Sequence, residues 1–380
     1  MQLLHISDTH LGRAQFNLEE REEDLYESLG EAVEAAIREH VKCVIHAGDI
    51  FDSPRPGGRP LLRLLEELRR LKERGISFYF TLGNHDIARL PHAPVALLYE
   101  RIGLARYVER EEPWRDGELV ILGFREHRPS ELEELEARLR AAEARAAGLE
   151  GKKVLVLHQT LREAHQFAGR LSHEALPKNF DYYAMGDLHF RWEKRFPGLG
   201  GPVCYPGSLD VISLEPSLEG GTGFEKGYYI VDLSSREASA EWVRLRSTRP
   251  QRVLDVRYEQ LETLVRSLLE EVGRYAKKPI IRLRVRGKGI RQEALEARLS
   301  ALREASLYLD VQPLEEGIPE RYAAPPDIDA ETLRLAAEIL GSEQSARLAI
   351  LDLLPLLAEG KAAEATERLW KMIERGSATC

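Results

Sequence analysis

Residues 42–49 read KCVIHAGD: an apolar run of strand length, then a small residue that permits a tight turn, then a carboxylate. The same pattern stands upstream in QLLHISDTH (2–10) and downstream in SFYFTLGNHD (77–86). Helical patterns over Glu20–Glu39 and Leu61–Arg74 separate the three. This β-α-β-α-β rhythm predicts a layered α/β sheet with helices packed on its faces. In open α/β sheets the ligand crevice lies beyond the carboxyl ends of the strands, so the polar residues after each run are candidates for one shared site.

The rhythm continues outward in LVILGF (119–124), an amphipathic helix over Pro129–Leu149, KKVLVLHQT (152–160) and FDYYAMGDLH (180–189). PVCYPGS (202–208), KGYYIVDL (226–233) and AEWVRLR (240–246) read as a late antiparallel set of strands. After RSTRPQR (246–252) comes a smaller β-α-β-α-β unit: RVLDVRY, helix Gln260–Tyr275, PIIRLRV, helix Arg291–Ala305 and LYLDVQ. Two prolines in RYAAPPDID (321–329) then mark a linker, and three helical patterns, Ala330–Leu340, Glu343–Leu357 and Lys361–Arg375, end the sequence. A length of 380 residues exceeds one ordinary core. The expected divisions are 1–248, 249–318, a linker at 319–329 and a helical region at 330–380.

Composition excludes several classes. With 43% hydrophobic and 31% charged residues, and no apolar run approaching the roughly 20 residues that span a bilayer, no membrane association is expected. The start, MQLLHISDTH, lacks a basic segment followed by an apolar stretch, so a cytoplasmic location is expected. Cys43, Cys204 and Cys380 are scattered and odd in number, which fits neither a disulfide framework nor a Cys-x-x-Cys metal site. No Gly-x-x-x-x-Gly-Lys-Ser/Thr stretch occurs, so ATP binding through a P-loop is not expected. The net charge of −9 argues against a polyanion partner, but RYAKKPIIRLRVRGKGIR (274–291) carries basic residues and no acidic ones.

Five segments that follow apolar runs present Asp, Asn or His. They are Asp8 and His10 in SDTHLG, Asp49 in AGDIFD, Asn84 and His85 in GNHD, His158 in LHQT, and Asp187 and His189 in GDLH. Singly each is weak, because an Asp after a strand is more often a turn former. As a set they offer carboxylate, imidazole and amide donors, a mixture that suits Mn²⁺, Fe²⁺ or Zn²⁺ better than Mg²⁺ and suffices for two ions.

LLHISDTHLG, AGDIFDSPRP, LGNHD, YYAMGDLH and YPGSLD resemble signatures of the calcineurin-like metallophosphoesterases. Within that group they look like the double-strand-break repair exonucleases typified by bacterial SbcD and its archaeal and eukaryotic meiotic-recombination relatives. The resemblance implies a metallophosphoesterase β-sandwich flanked by helices, a nuclease domain (1–248), a small α/β DNA-binding capping domain (249–318) and a C-terminal helical tail. It implies a Mn-dependent exonuclease and single-strand endonuclease, working with two Mn²⁺ ions, with Mg²⁺, Fe²⁺ or Zn²⁺ as other occupants. One ion would be held by Asp8, His10, Asp49 and His189, the other by Asp49, Asn84, His158 and Asp187. His85 would sit over the scissile phosphate, oriented by Asp86. GDLH departs from the subfamily's usual His-x-His: Asp187 adds a negative ligand, which should alter metal preference.

The implied partners are DNA ends, a coiled-coil ABC-type ATPase and a second copy of the chain. Arg282, Arg284 and Arg286 alternate onto one face of a strand, near Lys288, and with Arg191 they are candidate DNA contacts; a solvated sheet face is the other reading of the three. Leu348, Leu351, Leu354, Leu369, Trp370 and Ile373 give the tail an apolar surface for the ATPase. Leu61–Leu71 and Pro94–Arg101 are the implied homodimer helices. A nucleoid-associated place in the cytoplasm follows from these partners. A phosphatase or other phosphodiesterase could use the same metal motifs, and a weakly catalytic DNA-binding scaffold is a further alternative.

Overall fold

In a computed structural model the three N-terminal runs become adjacent parallel strands. The structure describes residues 1–88, 93–110, 112–165, 169–215, 219, 224–315 and isolated positions between 342 and 369. Strand β1 (Gln2–Ile6) leads through helix α1 (Glu19–Arg38) to β2 (Cys43–His46), and through α2 (Gly58–Glu73) to β3 (Ser77–Phe80). Then follow α3 (Leu97–Arg101), β4 (Arg106–Tyr107), β5 (Trp114–Asp116), β6 (Leu119–Phe124), α4 (Leu132–Ala147), β7 (Lys152–His158) and β8 (Tyr182–Gly186). Next are β9 (Trp192–Lys194), β10 (Val203–Tyr205), β11 (Gly227–Asp232) and β12 (Ser239–Arg244). Last are β13 (Gln251–Arg257), α5 (Leu261–Val272), β14 (Ile280–Gly287), α6 (Gln292–Ala305) and β15 (Tyr308–Glu315).

Two six-stranded sheets, ordered β12-β11-β1-β2-β3-β4 and β5-β6-β7-β8-β10-β9, face each other. Side chains alternate along a strand, so each central strand has two apolar jobs. Leu3, Cys43, Ile45 and Tyr79 of the first sheet meet Ile121, Val154, Val156, Tyr182 and Ala184 of the second between the sheets. On the outer faces Leu4, Ile6, Val44 and Phe80 pack against Leu25 and Leu29 of α1 and Leu64 and Leu68 of α2. Leu122, Leu155, Leu157 and Met185 pack against Leu135 and Leu139 of α4. This is the β-sandwich flanked by helices that the motifs implied, and double coverage explains why the strands read as unbroken apolar runs. A smaller sheet, β13-β14-β15, accompanies α5 and α6.

One expectation is corrected. The late strands do not form one antiparallel set: β11 and β12 pair antiparallel beside β1, but β10 runs parallel to β8 in the other sheet. A short apolar run carries no mark of its neighbour; pairing is decided by which sheet still has an open edge to cover.

By contacts the chain forms two units, Met1–Val285 with Arg291–Pro313, and Arg286–Ile290 with Leu314–Cys380. The linker at 319–329 and Leu348, Leu351, Leu354, Trp370 and Ile373 lie outside the described residues, whereas Leu369 is described and exposed. No helix among the described residues is long and apolar enough to cross a membrane.

Within the first unit a buried ionic network joins distant segments. Arg21 of α1 donates to Asp210 at 2.6 Å and pairs with Asp24. Asp24 also accepts from Arg249 at 2.6 and 3.0 Å and from Lys277 at 2.9 Å. Burial alone would raise the Asp24 pKa, but Arg249, Arg21 and Lys277 together hold it below 3.8. Removing one member of such a network strands the others, so Asp24→Asn should destabilise the fold by about 3–5 kcal/mol near neutral pH. A depressed folded pKa gives stability that is full above the unfolded value and lost as pH falls through the folded one. The difference between wild type and variant in urea unfolding should therefore shrink below pH 3.8; a gap that stays constant with acid would contradict it.

Candidate metal centre

Each candidate donor sits where a strand ends. Asp8 and His10 follow β1, Asp49 follows β2, Asn84 and His85 follow β3, His158 closes β7, and Asp187 and His189 follow β8. The backbone at four of them is left-handed: φ is 52° at Asp8, 43° at His10, 55° at Asp49 and 89° at Asp187. Such conformations cost roughly 1–3 kcal/mol each for a side-chain-bearing residue and persist only where the surroundings over-determine them. Here loop-to-loop hydrogen bonds do so: Asp8 N donates to Gly48 O at 2.9 Å, His10 N to Asp49 O at 3.1 Å, and Asp187 N to both Asp8 carboxylate oxygens at 3.2 Å. Two glycines permit the close approach. A Cβ on Gly48, itself at φ 96°, would overlap the His158 ring, and one on Gly83 would overlap the Asp49 carboxylate.

The donors converge in two clusters that share Asp8, one with His10 and His189 and one with Asp49 and His158, while a third joins His10 to Asp52 and His85, with ligand atoms within 4.8 Å of one another in each. Asp49 Oδ2 lies 3.7 Å from His10 Nε2 and 3.5 Å from His158 Nε2, so it stands between the clusters as well. His158 donates from Nδ1 to Ala47 O at 2.7 Å, which turns Nε2 inward. That Nε2, like His10 Nδ1, is buried without a hydrogen-bond partner. His10 Nε2 and His189 Nε2 are 3.2 Å apart, about the separation of two nitrogens each ~2.1 Å from one ion. Orphaned imidazole nitrogens facing packed carboxylates are the donor chemistry of a divalent cation site, and the residues present fit one.

The electrostatics agree. Burial pushes the Asp8 carboxyl well up, and the neighbouring Asp49 and Asp187 charges add to it. Burial alone would raise Asp49, yet His158, His10 and His85 hold it well below the usual carboxylate range. Burial would lower His158, but Asp49, Asp8 and Asp187 lift it well above 6.5. Around Asp49 the pocket favours positive charge, whereas burial, with His10 and Lys226 nearby, pushes His189 well below 6.5.

Around this core the remaining candidates take different places. Asn84 is exposed and borders cavities of about 970 and 380 Å³. Asp187 lies outside these clusters: its Oδ2 accepts from Thr160 N at 2.9 Å and Thr160 Oγ1 at 2.6 Å, leaving Oδ1 3.8 Å from His158 Nε2. His85 donates its backbone N–H to Asp49 Oδ1 at 2.9 Å, and its Nδ1 meets the Asp52 carbonyl at 2.9 Å. The orienting contact expected from Asp86 is thus supplied by Asp52. The Asp86 carboxylate is buried and turned instead to the amides of Ile50, Phe51 and Gly83 at 3.2, 3.1 and 3.0 Å. Burial, with Asp49 nearby, pushes its pKa up to about 7 against those amides. It ties the β2 and β3 loops together.

Asp52 itself was not singled out in the sequence. It accepts from Arg13 at 3.1 Å and lies 3.4 Å from His10 Nδ1. Its signal was the second carboxylate of GDIFD. Among the basic candidates, Arg191 lies over the Trp242 ring at 5.2 Å and donates to Glu193 at 3.2 Å. Arg282 donates to Asp310 at 2.6 Å and Arg284 is 3.7 Å from Glu215. Arg286 and Lys288 are exposed and fall in the second unit.

A family model described as calcineurin-like phosphoesterase matches residues 1–191. Fold and site together define a metal-dependent phosphodiesterase. The chain is similar to the DNA double-strand break repair protein Mre11 of Sulfolobus acidocaldarius, at 33% identity over 313 residues covering 80% of each chain. It is similar to the protein of that name from Saccharolobus solfataricus, at 30% over 319 residues and 81% of each. For that of Sulfurisphaera tokodaii the identity is 33% over 313 residues, covering 81% of this chain and 79% of the relative. The chain belongs to this Mre11 and SbcD family of calcineurin-like phosphoesterases.

Gly83 tests how tightly the pocket is drawn. A methyl group there collides with Asp49, so Gly83→Ala should lower Mn²⁺ affinity at least tenfold in calorimetric titration. Unchanged affinity would mean that Asp49 does not need its present position to bind metal.

Proposed function

We propose that this protein is a DNA nuclease of double-strand break repair that hydrolyses phosphodiester bonds with two divalent cations, Mn²⁺ foremost. The observation that carries this reading is the pair of buried donor clusters sharing Asp8, with Asp49 between them. Its direction toward DNA comes from the Mre11 relatives, which are named for double-strand break repair. Asp8, His10, Asp49 and His189 would hold one ion; Asp49, Asn84, His158 and Asp187 the other. When bound, two such ions lower the pKa of water and neutralise a phosphodiester's charge.

The chain's own groups do the rest. His158 is fixed as a donor because its far nitrogen is spent on Ala47 O. The hydrogen bond from His85 Nδ1 to the Asp52 carbonyl leaves Nε2 to carry a proton toward a leaving oxygen, and Asp86 keeps the loop beneath it in place. The cavity of about 970 Å³ beside His85 is lined by Tyr107, Arg125 and Arg128 together with Glu126 and Glu131, so a nucleotide there would stack on Tyr107 and draw Arg125 from its carboxylate neighbour Glu131. Asp187, with one oxygen on Thr160, offers the other at the rim of the His158 cluster.

Further parts of the reading concern partners. Arg191, Arg282, Arg284, Arg286 and Lys288 would meet DNA phosphates, with Arg191, Arg282 and Arg284 exchanging the carboxylates of Glu193, Asp310 and Glu215 for phosphate and Arg286 likewise giving up its present contact. The region from about residue 249 would cap the nuclease domain. Leu62 on α2 and Leu98 on α3 are exposed apolar residues on the segments proposed for homodimer contact, and Ile102 just after α3 is exposed as well. The tail, including Leu369, would bind a coiled-coil ABC-type ATPase, and action on DNA would place the complex at the nucleoid.

Release of nucleotides from duplex DNA ends in the presence of Mn²⁺ tests the reading. His85→Gln should retain its metal content while cleavage falls by about 10²–10⁴-fold. Asp187→Ala should lower metal content and cleavage; if neither changes, Asp187 leaves the ligand set. Efficient hydrolysis of small phosphate monoesters with DNA left intact would move the substrate class to a phosphatase.

A further inference from the structure

The motif YPGSLD and the run that follows it are not used by the centre as described, yet they converge on one of its members. The backbone carbonyl of His189 accepts from Lys226 Nζ at 2.6 Å, from Ser208 N at 3.2 Å and from Ser208 Oγ at 3.3 Å. Lys226 also reaches Ser208 Oγ at 2.9 Å and pairs with Glu219. Both charged side chains are buried, at 1% and 0% exposure. Glu219 Oε1 lies 3.8 Å from His189 Nδ1, on the side of the ring away from the His10 contact. The same carboxylate oxygen accepts from the amides of Ile212 at 3.1 Å and Ser213 at 2.8 Å. Gly207, at φ 86°, presses on the same stretch: a Cβ there would lie 3.0 Å from both His189 O and Phe190 C.

A fully buried ion pair gains little over apolar residues of similar volume, because desolvation consumes most of the attraction. Stability alone therefore does not account for Glu219 and Lys226. What they add is geometry: one fixes the main chain of His189, the other stands behind its ring. At 3.8 Å Glu219 makes no hydrogen bond to Nδ1, but a fixed negative charge behind the ring favours the orientation that turns the N–H toward it and the near nitrogen toward the donors. We propose that Glu219 and Lys226 are a positioning pair that holds His189, backbone and ring, toward the Asp8 and His10 donors. The proposal rests on reading His189 as a metal ligand.

The test uses the full chain stripped of metal by chelation. Glu219→Gln/Lys226→Met removes both charges at nearly constant volume, so no lone charge is left buried. Three measurements are made: Mn²⁺ affinity by calorimetry, the visible absorption of the Co²⁺-loaded protein, and Tm without metal. The pair predicts at least a tenfold loss of Mn²⁺ affinity and an altered Co²⁺ spectrum, with metal-free Tm close to that of the parent. A lowered Tm with affinity and spectrum unchanged marks a purely structural pair and overturns the proposal. Should the double variant fail to fold, Glu219→Asp, which keeps the charge pair but shortens the carboxylate arm behind the His189 ring, is read for affinity and spectrum, and unchanged values again overturn the proposal. A parent chain that binds no Mn²⁺ overturns the metal centre and the pair together, whereas normal parent binding with an unaffected variant removes the pair alone.

Discussion

Several carboxylates and imidazoles share one small, dry space at the ends of the strands, and the rest of the structure answers to that crowding. In low dielectric, like charges at these separations repel far more strongly than in water. Burial, with the Asp49 charge added, drives Asp8 toward its neutral form, and Asp49 and Asp8 lift the buried His158 toward its cationic one. A divalent cation relieves the same conflict more completely than protons do. The pocket is thus built around a charge that the polypeptide does not itself provide.

Holding such a pocket together has a local cost, visible in the left-handed backbone at Asp8, His10, Asp49 and Asp187. Rigid strands beneath and reciprocal hydrogen bonds between loops keep these turns closed. Asp86 illustrates the principle: its carboxylate is spent on three amides of two loops, fixing the frame on which Asp49 and His85 are mounted. Farther out, the buried Arg21, Asp24, Asp210 and Arg249 network ties α1 to the segment after β10 and to the start of the following region. Polar connections of this kind specify one arrangement of segments where a purely apolar contact would tolerate slippage.

Much of the site was legible because the strand-loop motifs put chemistry at predictable places. A residue that ends an apolar run in an α/β sheet must emerge at the carboxyl edge, so Asp8, Asp49 and His158 were named without coordinates. Residues one step removed were less legible. The resemblance gave Asp86 the task of orienting His85, but adjacent residues on a turn point in different directions, and the contact comes from the backbone of Asp52. Arg282 and Arg284 were read as phosphate contacts or as a solvated sheet face, and their carboxylate neighbours, Asp310 and Glu215, could not be read because they are distant in sequence.

The sequence by itself determined the layered α/β class, the order of its strands and helices along the chain, and the kinds of donor that gather at the strand ends. These follow from periodicity and residue chemistry, which are local. Only the tertiary structure decided that β10 joins β8 rather than the later strands, that Asp8 belongs to two donor clusters, and that Glu219 and Lys226 meet behind His189. Those outcomes depend on which distant segments are packed side by side, and a one-dimensional pattern does not encode direction or distance between them.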